Sequence, residues 1–186
     1  MYVDEIDPGL LARARGGDET AFLTLYQRHR TPAFRFAYRL TGSASAAEDI
    51  VQECFLALLG GAGFDARQGS LRTYLFGIVR HLALKRVRLV ERETEEAGNR
   101  MAEFDPLGDL LTSERAALVE RAVAALPLLQ REALILFEYE ELSLEEIAVV
   151  SGVAVGAVKA RLFRARESLR RRLAPLLAPC SEGSCG

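Results

Sequence analysis

The chain has 186 residues, and 24 lysines and arginines face 26 aspartates and glutamates for a net charge of −2. That balance excludes a uniformly basic nucleic-acid coat, so any DNA contact has to come from local patches. No apolar run reaches the ~20 residues of a membrane span, and MYVDEIDPGLL lacks a basic-then-apolar leader, so a cytoplasmic chain is expected.

Helical patterning dominates and no convincing strand appears. Asp18-Glu19-Thr20 precedes AFLTLYQRHR, where Phe22, Leu25 and Tyr26 fall at helical spacing. Pro32 is expected to open a second helix, since proline is tolerated in a first turn, and Thr41-Gly42 to end it. Ser43 to Ala47 reads as a small-residue connector. A third helix runs from about Ala46 to Leu59, with Ile50, Val51, Cys54, Phe55 and Leu58 inward. Its outward positions, Glu48, Asp49, Gln52 and Glu53, form an acidic and amide stripe. Charge alone favours a solvated face for that stripe. Cys54 reads as a core residue, and three cysteines, an odd number, argue against a disulfide framework.

Gly60 to Ser70 is a glycine-rich loop with one aromatic, Phe64, and one base, Arg67. Leu71 to Val90 follows as a long helix without an acid, its bases being Arg72, Arg80, Lys85, Arg86 and Arg88. Tyr74 and Phe76 read first as core. A loop aromatic beside a basic helix is nevertheless the composition that holds unstacked single-stranded bases. Glu91 to Asp109 carries seven acids and two bases with Gly98, Pro106 and Gly108, which reads as a flexible acidic linker. Helical pattern resumes near Ser113, and Pro127 starts the next helix.

Ser143 to Leu169 then reads as two short helices around a glycine turn. Ser143 and Glu146 have capping-box spacing, and Ser151-Gly152-Val153 breaks the run. The second helix has Val155, Val158, Leu162 and Leu169 on one side, with Lys159, Arg161, Arg164 and Arg166 elsewhere around it. A helix-turn-helix lays such a second helix in the DNA major groove. The plainer alternative is a helical hairpin with a solvated basic face. Charge segregation favours DNA: Lys159 to Arg172 holds seven bases and one acid, whereas Glu132 to Val158 holds six acids and no base. The fold class expected is all-α. Two small helical domains, 1–90 and 113–177, are joined by the linker 91–112 and followed by a cysteine-containing tail, 178–186.

These motifs in this order resemble the extracytoplasmic-function (ECF) group of bacterial RNA polymerase sigma factors, in the sigma-70 family. The resemblance rests on AFLTLYQRHR, LTGSASAAEDIVQECFLALL and LRTYLFGIVRHLAL in the first half. In the second it rests on ALPLLQREALILFEYEELSLEEIAVVSGVAVGAVKARLFRARESLRR. It implies a promoter-recognition subunit that is not an enzyme and needs no cofactor. Its implied partners are core RNA polymerase, promoter DNA and an anti-sigma factor, with no membrane insertion of its own.

Carried over by position, Glu48, Asp49, Gln52 and Glu53 would dock on the clamp of the polymerase largest subunit. Phe64, Arg67, Arg80, Lys85 and Arg86 would capture the melted −10 element. Lys159, Ala160, Phe163 and Arg164 would read the −35 element. Ala154, Ala157 and Ala160 stand where relatives often carry proline, threonine and serine, so looser −35 readout is implied. A stand-alone helix-turn-helix regulator is the alternative, though the basic, helical first half fits it poorly. Cys180 and Cys185 supply half of the four ligands a structural zinc takes, and no metal site is expected. A metal or redox sensor is the other reading of that tail.

Overall fold

The computed structural model describes residues 7–61, 63–97 and 114–177. Its regular elements are helical: α1 (Asp7–Arg15), α2 (Glu19–Thr41), α3 (Ala44–Leu59), α4 (Leu71–Ala97), α5 (Glu114–Ala124), α6 (Leu128–Leu134), a π-helical turn (Ile135–Tyr139), α7 (Leu144–Ser151) and α8 (Val155–Leu177). The all-α class and the two helical halves follow the expectation. Cys180, Cys185 and positions 98–112 of the expected linker lie outside the described residues.

Helix α2 departs from the sequence reading, because it runs unbroken through Pro32. An interior proline removes one hydrogen bond and crowds the carbonyl four residues earlier, at a cost of ~3 kcal/mol. Burial outweighs it. Ala21, Leu25 and His29 before the proline, and Ala33, Phe36, Ala37 and Leu40 after it, form one continuous buried stripe. A fully buried Leu or Phe contributes about 1.5–3 kcal/mol, so Leu25, Phe36 and Leu40 of this stripe more than offset the break. Asp18 caps the helix by accepting from the Ala21 N–H at 3.0 Å.

Three further differences concern single helices. Helix α1 has only Leu11 and Ala14 as buried apolar residues, too few for a period to show. It is held by the buried Asp7, whose carboxylate pairs with Arg28 and lies 2.7 Å from His29 Nε2. Helix α3 starts at Ala44, inside the expected connector, because Ser43 caps it by accepting from the Ala46 N–H. Helix α4 continues from Glu91 to Ala97, into the stretch expected to be linker.

Helices α2, α3 and α4 enclose Leu25, Phe36, Leu40, Leu58 and Val79, with Phe36 and Phe76 edge-on at 5.4 Å. In the second half, Ile135, Leu136, Ile147 and Val158 are fully buried. The π turn closes with the Glu140 N–H donating to the Ile135 carbonyl at 3.1 Å. The halves meet directly: α4 packs on α7, and α2 touches α6 and the π turn. The apolar core is continuous between them.

Candidate nucleic-acid and polymerase interface

The helix-turn-helix is built by its end signals. Ser143 Oγ accepts from the Glu146 N–H at 3.1 Å, and Glu146 Oε2 accepts from the Ser143 N–H at 2.8 Å. Two donors that a helix N-terminus leaves open are thereby satisfied. Gly152 ends α7 in the left-handed region at φ 65°, which glycine adopts without steric cost. The turn aims α8 so that Val158, Leu162 and Ala165 are buried.

On the opposite side of α8, Lys159, Phe163 and Arg164 are exposed and Ala160 is half-buried at their edge. Phe163 is 69% exposed. The four expected −35 residues therefore share one face, and Ala154 and Ala157 are exposed at its start. Arg166 belongs elsewhere. Its Nη2 donates to Glu138 Oε1 at 2.7 Å, and its guanidinium lies over Phe137 at 5.1 Å.

The glycine loop places Phe64 half-buried against Tyr74, ring centroids 5.5 Å apart. Gly61 at φ 88° lets the chain reverse there. Asp65 ties the loop, its carboxylate accepting from the Arg67 N–H at 3.0 Å, and the Arg67 side chain is exposed. Ser70 caps α4 by accepting from the Thr73 N–H at 3.1 Å. Tyr74 shares the surface with Phe64, whereas Phe76 is core at 2% exposure.

The expected −10 cations are not gathered into one clamp. Arg80 and Lys85 line a shallow groove of about 350 Å³ on α4, together with His81, Arg88 and Arg92. Arg86 is exposed outside that groove. Arg80 is already engaged, its Nε donating to Glu132 Oε1 at 2.7 Å. Sequence spacing carried no sign of that partner.

On α3, Glu48, Asp49, Gln52 and Glu53 are all exposed, while Ile50, Val51, Cys54, Phe55 and Leu58 face the core. Burial pushes the Cys54 thiol up to about 12, so it stays protonated and inert. Leu56 continues the charged stripe and is 70% exposed. Sequence reading missed it. The available signal was its place four residues after Gln52 and three after Glu53, on the polar side of the helix. Among the described residues, no group of three or more His, Cys, Asp or Glu could hold a metal ion. No described helix is long and apolar enough to cross a membrane.

Residues 25–93 match Sigma-70 region 2, and residues 116–169 match Sigma-70, region 4. The chain is 32% identical over 190 residues to the RNA polymerase sigma-H factor of Pseudomonas aeruginosa, covering 95% of this chain and 98% of that one. It is likewise 32% identical to the ECF RNA polymerase sigma factor SigM of Mycobacterium tuberculosis, over 90% of this chain and 84% of that one. Among solved structures, the sigma factor RpoE of Bartonella quintana in complex with the anti-sigma factor NepR matches with a TM-score of 0.72 and 27% identity, covering 82% of this chain and 96% of that one. CnrH in complex with the cytosolic domain of CnrY matches with a TM-score of 0.69 and 26% identity, over 91% and 97%. With both sigma regions present in order and a helix-turn-helix in the second, the chain belongs to the ECF group of sigma-70 family RNA polymerase sigma factors, which direct promoter-specific initiation of transcription.

Proposed function

We propose that this sigma factor divides initiation among three exposed surfaces. The α3 stripe of Glu48, Asp49, Gln52 and Glu53, extended by Leu56, docks on the clamp of the polymerase largest subunit. Phe64 and Arg67, with Lys85 and Arg86 on α4, capture a base and backbone of the melted −10 strand. Lys159, Ala160, Phe163 and Arg164 enter the major groove at the −35 element. The chain acts in the cytoplasm, takes no catalytic part of its own, and is held in reserve by an anti-sigma factor. Its functional units are 1–90 and 113–177, bridged by 91–112.

The observation that carries this reading is the polarity of the exposed helix faces. The acidic stripe of α3 and the basic face of α8 each stand opposite a fully buried side. Neither charge set is consumed by an ion pair among the contacts seen. Pulling a base from the stack costs a few kcal/mol, which stacking on Phe64 and cationic contacts offset. Arginine or lysine pairs with guanine edges, and an aromatic ring contacts a thymine methyl. Transcription in vitro with core polymerase on a promoter library tests the whole reading: initiation at a defined promoter set should depend on the chain. The Asp49→Arg variant should keep its fold and lose capture by core polymerase. Undiminished capture would refute the docking role of α3.

A further inference from the structure

Helix α1 (Asp7–Arg15) lies ahead of the residues matched to region 2, and none of the three surfaces above includes it. It is nevertheless fastened along its length. At its start the fully buried Asp7 pairs with Arg28 and lies 2.7 Å from His29 Nε2, both on α2. Leu11 sinks into the core. Near its end Arg13 Nη2 donates to Asp18, the cap of α2, at 2.6 Å. Arg15 crosses to α3 instead. Its Nε and Nη2 donate to the Leu58 carbonyl at 3.1 and 2.8 Å.

That carbonyl sits at a sensitive place. Leu58 is the last residue but one of α3, and Gly60 follows as the first residue of the loop that carries Phe64. The last four carbonyls of a helix have no partner within it, and a cation there also meets the negative end of the helix dipole. Many helices close these carbonyls with a left-handed glycine. Gly60 stands at φ −65°, and the Leu58 carbonyl takes its donors from α1. We infer that Arg15 is a positioning residue for −10 base capture: it fixes the last turn of α3, and with it the root of the loop that presents Phe64 to the melted strand. This rests on the functional reading above, in which the captured base stacks on Phe64.

The loop depends on a held root because its first part has little to hold it. Gly60, Gly61 and Gly63 precede Phe64 without a side chain among them, and glycine loses more backbone freedom on ordering than any other residue. The far part has its own ties, since Asp65 accepts from the Arg67 N–H and Ser70 from the Thr73 N–H. Fraying one turn of α3 would displace the loop origin by about 5.4 Å along the helix axis. That matches the 5.5 Å between the Phe64 and Tyr74 rings, so the aromatic pair would not survive it. A stacking surface that must be ordered at the moment of binding costs affinity.

The chain contains no tryptophan, so Phe64→Trp installs a single fluorescent reporter on the loop. In the full chain, adding Arg15→Ala should raise acrylamide quenching of that indole while circular dichroism keeps wild-type helicity. Arg13→Ala is the control, because it removes an ion pair of α1 that does not involve α3, and it should leave the reporter unchanged. With core polymerase at a promoter recovered from the library, Arg15→Ala should capture a 2-aminopurine in the non-template −10 strand about 2–10-fold more weakly. Its affinity for a −35 duplex should not change. Arg15→Lys keeps a charged donor and should recover most of the capture, and Arg15→Ala combined with Phe64→Ala should lose no more than Phe64→Ala. Unchanged quenching in Arg15→Ala, or an equal change in Arg13→Ala, would overturn the bracing. Undiminished capture by Arg15→Ala, capture by Arg15→Lys as weak as by Arg15→Ala, or additive losses in the double variant would overturn the positioning role. If Phe64→Ala itself captures normally, the functional reading of the loop fails, and the reporter still decides whether Arg15 holds it.

Discussion

Arg80 of α4 and Glu132 of α6 stand 52 positions apart in sequence, and their side chains meet at 2.7 Å with Glu132 fully buried. Removing one member of a buried pair leaves the other uncompensated, at about 3–5 kcal/mol. Glu132→Ala also strips Ser151 of its acceptor. This variant should therefore melt about 6–20 °C below wild type, measured by calorimetry. Glu132→Gln should lose much less, because the amide oxygen still accepts from Ser151. Equal losses in the two variants would mean that packing around the side chain, not its hydrogen bonds, sets the cost.

The ends of α7 give a graded pair of variants. Ser143→Ala breaks one arm of the capping box and should cost ~1 kcal/mol. Gly152→Ala meets no atom within 4 Å of the new Cβ, so its cost is the left-handed backbone alone, about 1–2 kcal/mol. Denaturant unfolding should rank Gly152→Ala as at least as destabilising as Ser143→Ala. Both should weaken −35 binding only as far as they unfold the second half.

These two end signals are the kind of information a sequence carries openly. Ser143, Glu146 and Gly152 act within one turn of their own helix, so spacing alone located the helix-turn-helix. The acidic stripe was readable for the same reason, because exposure follows helical phase. What spacing could not show depends on partners far along the chain. Pro32 lies inside α2 because residues on both its sides are buried by α3 and α4. Helix α1 depends on Asp7 reaching Arg28 and His29. Arg80 looked like a free phosphate ligand because its carboxylate is supplied by the other half. Leu56 was lost in an apolar run, LALL, in which its neighbours Leu58 and Leu59 are indeed packed.

Leu56 is the residue to change on α3. At 70% exposure it contributes little to the fold, so Leu56→Ser should leave the melting temperature within about 1–2 °C of wild type. Covered by a polymerase surface, a leucine is worth about 1.5–3 kcal/mol. Affinity for core polymerase should then fall about 10–150-fold, readable by surface plasmon resonance. Wild-type affinity would restrict the docking surface to the charged residues.

Glu140 offers a pH test of the contact between the halves. Burial pushes its carboxyl above the usual range, while Arg72, Arg39 and Arg35 pull it the other way. A carboxyl raised by folding favours the protonated fold. Its contribution is complete below the ordinary glutamate value of about 4.3 and is lost as pH rises through the raised value. Glu140→Gln should therefore raise the melting temperature at pH 7 and make no difference near pH 4. The Arg72 bond to the Glu140 backbone carbonyl survives this change. A variant less stable than wild type at pH 7 would show that the Arg72 ion pair, at 3.7 Å, outweighs the cost of burial.

The recognition face predicts an uneven promoter. Arg164 and Lys159 are the exposed cations of α8 on that face, and a well-placed bidentate contact to guanine discriminates by about 1–3 kcal/mol. Arg164→Ala should relax the requirement at one −35 position by about 5–150-fold and leave the other positions unchanged. Ala154, Ala157 and Ala160 have no hydroxyl to offer a phosphate or a base edge, so positions opposite them should tolerate substitution. Ala160→Ser restores a hydroxyl at the edge of the face and should tighten binding to all −35 sequences or sharpen one position. Transcription from a library randomised through the −35 element reads both effects at once. Uniformly strict demands along the element for the wild-type chain would contradict this division of labour on α8.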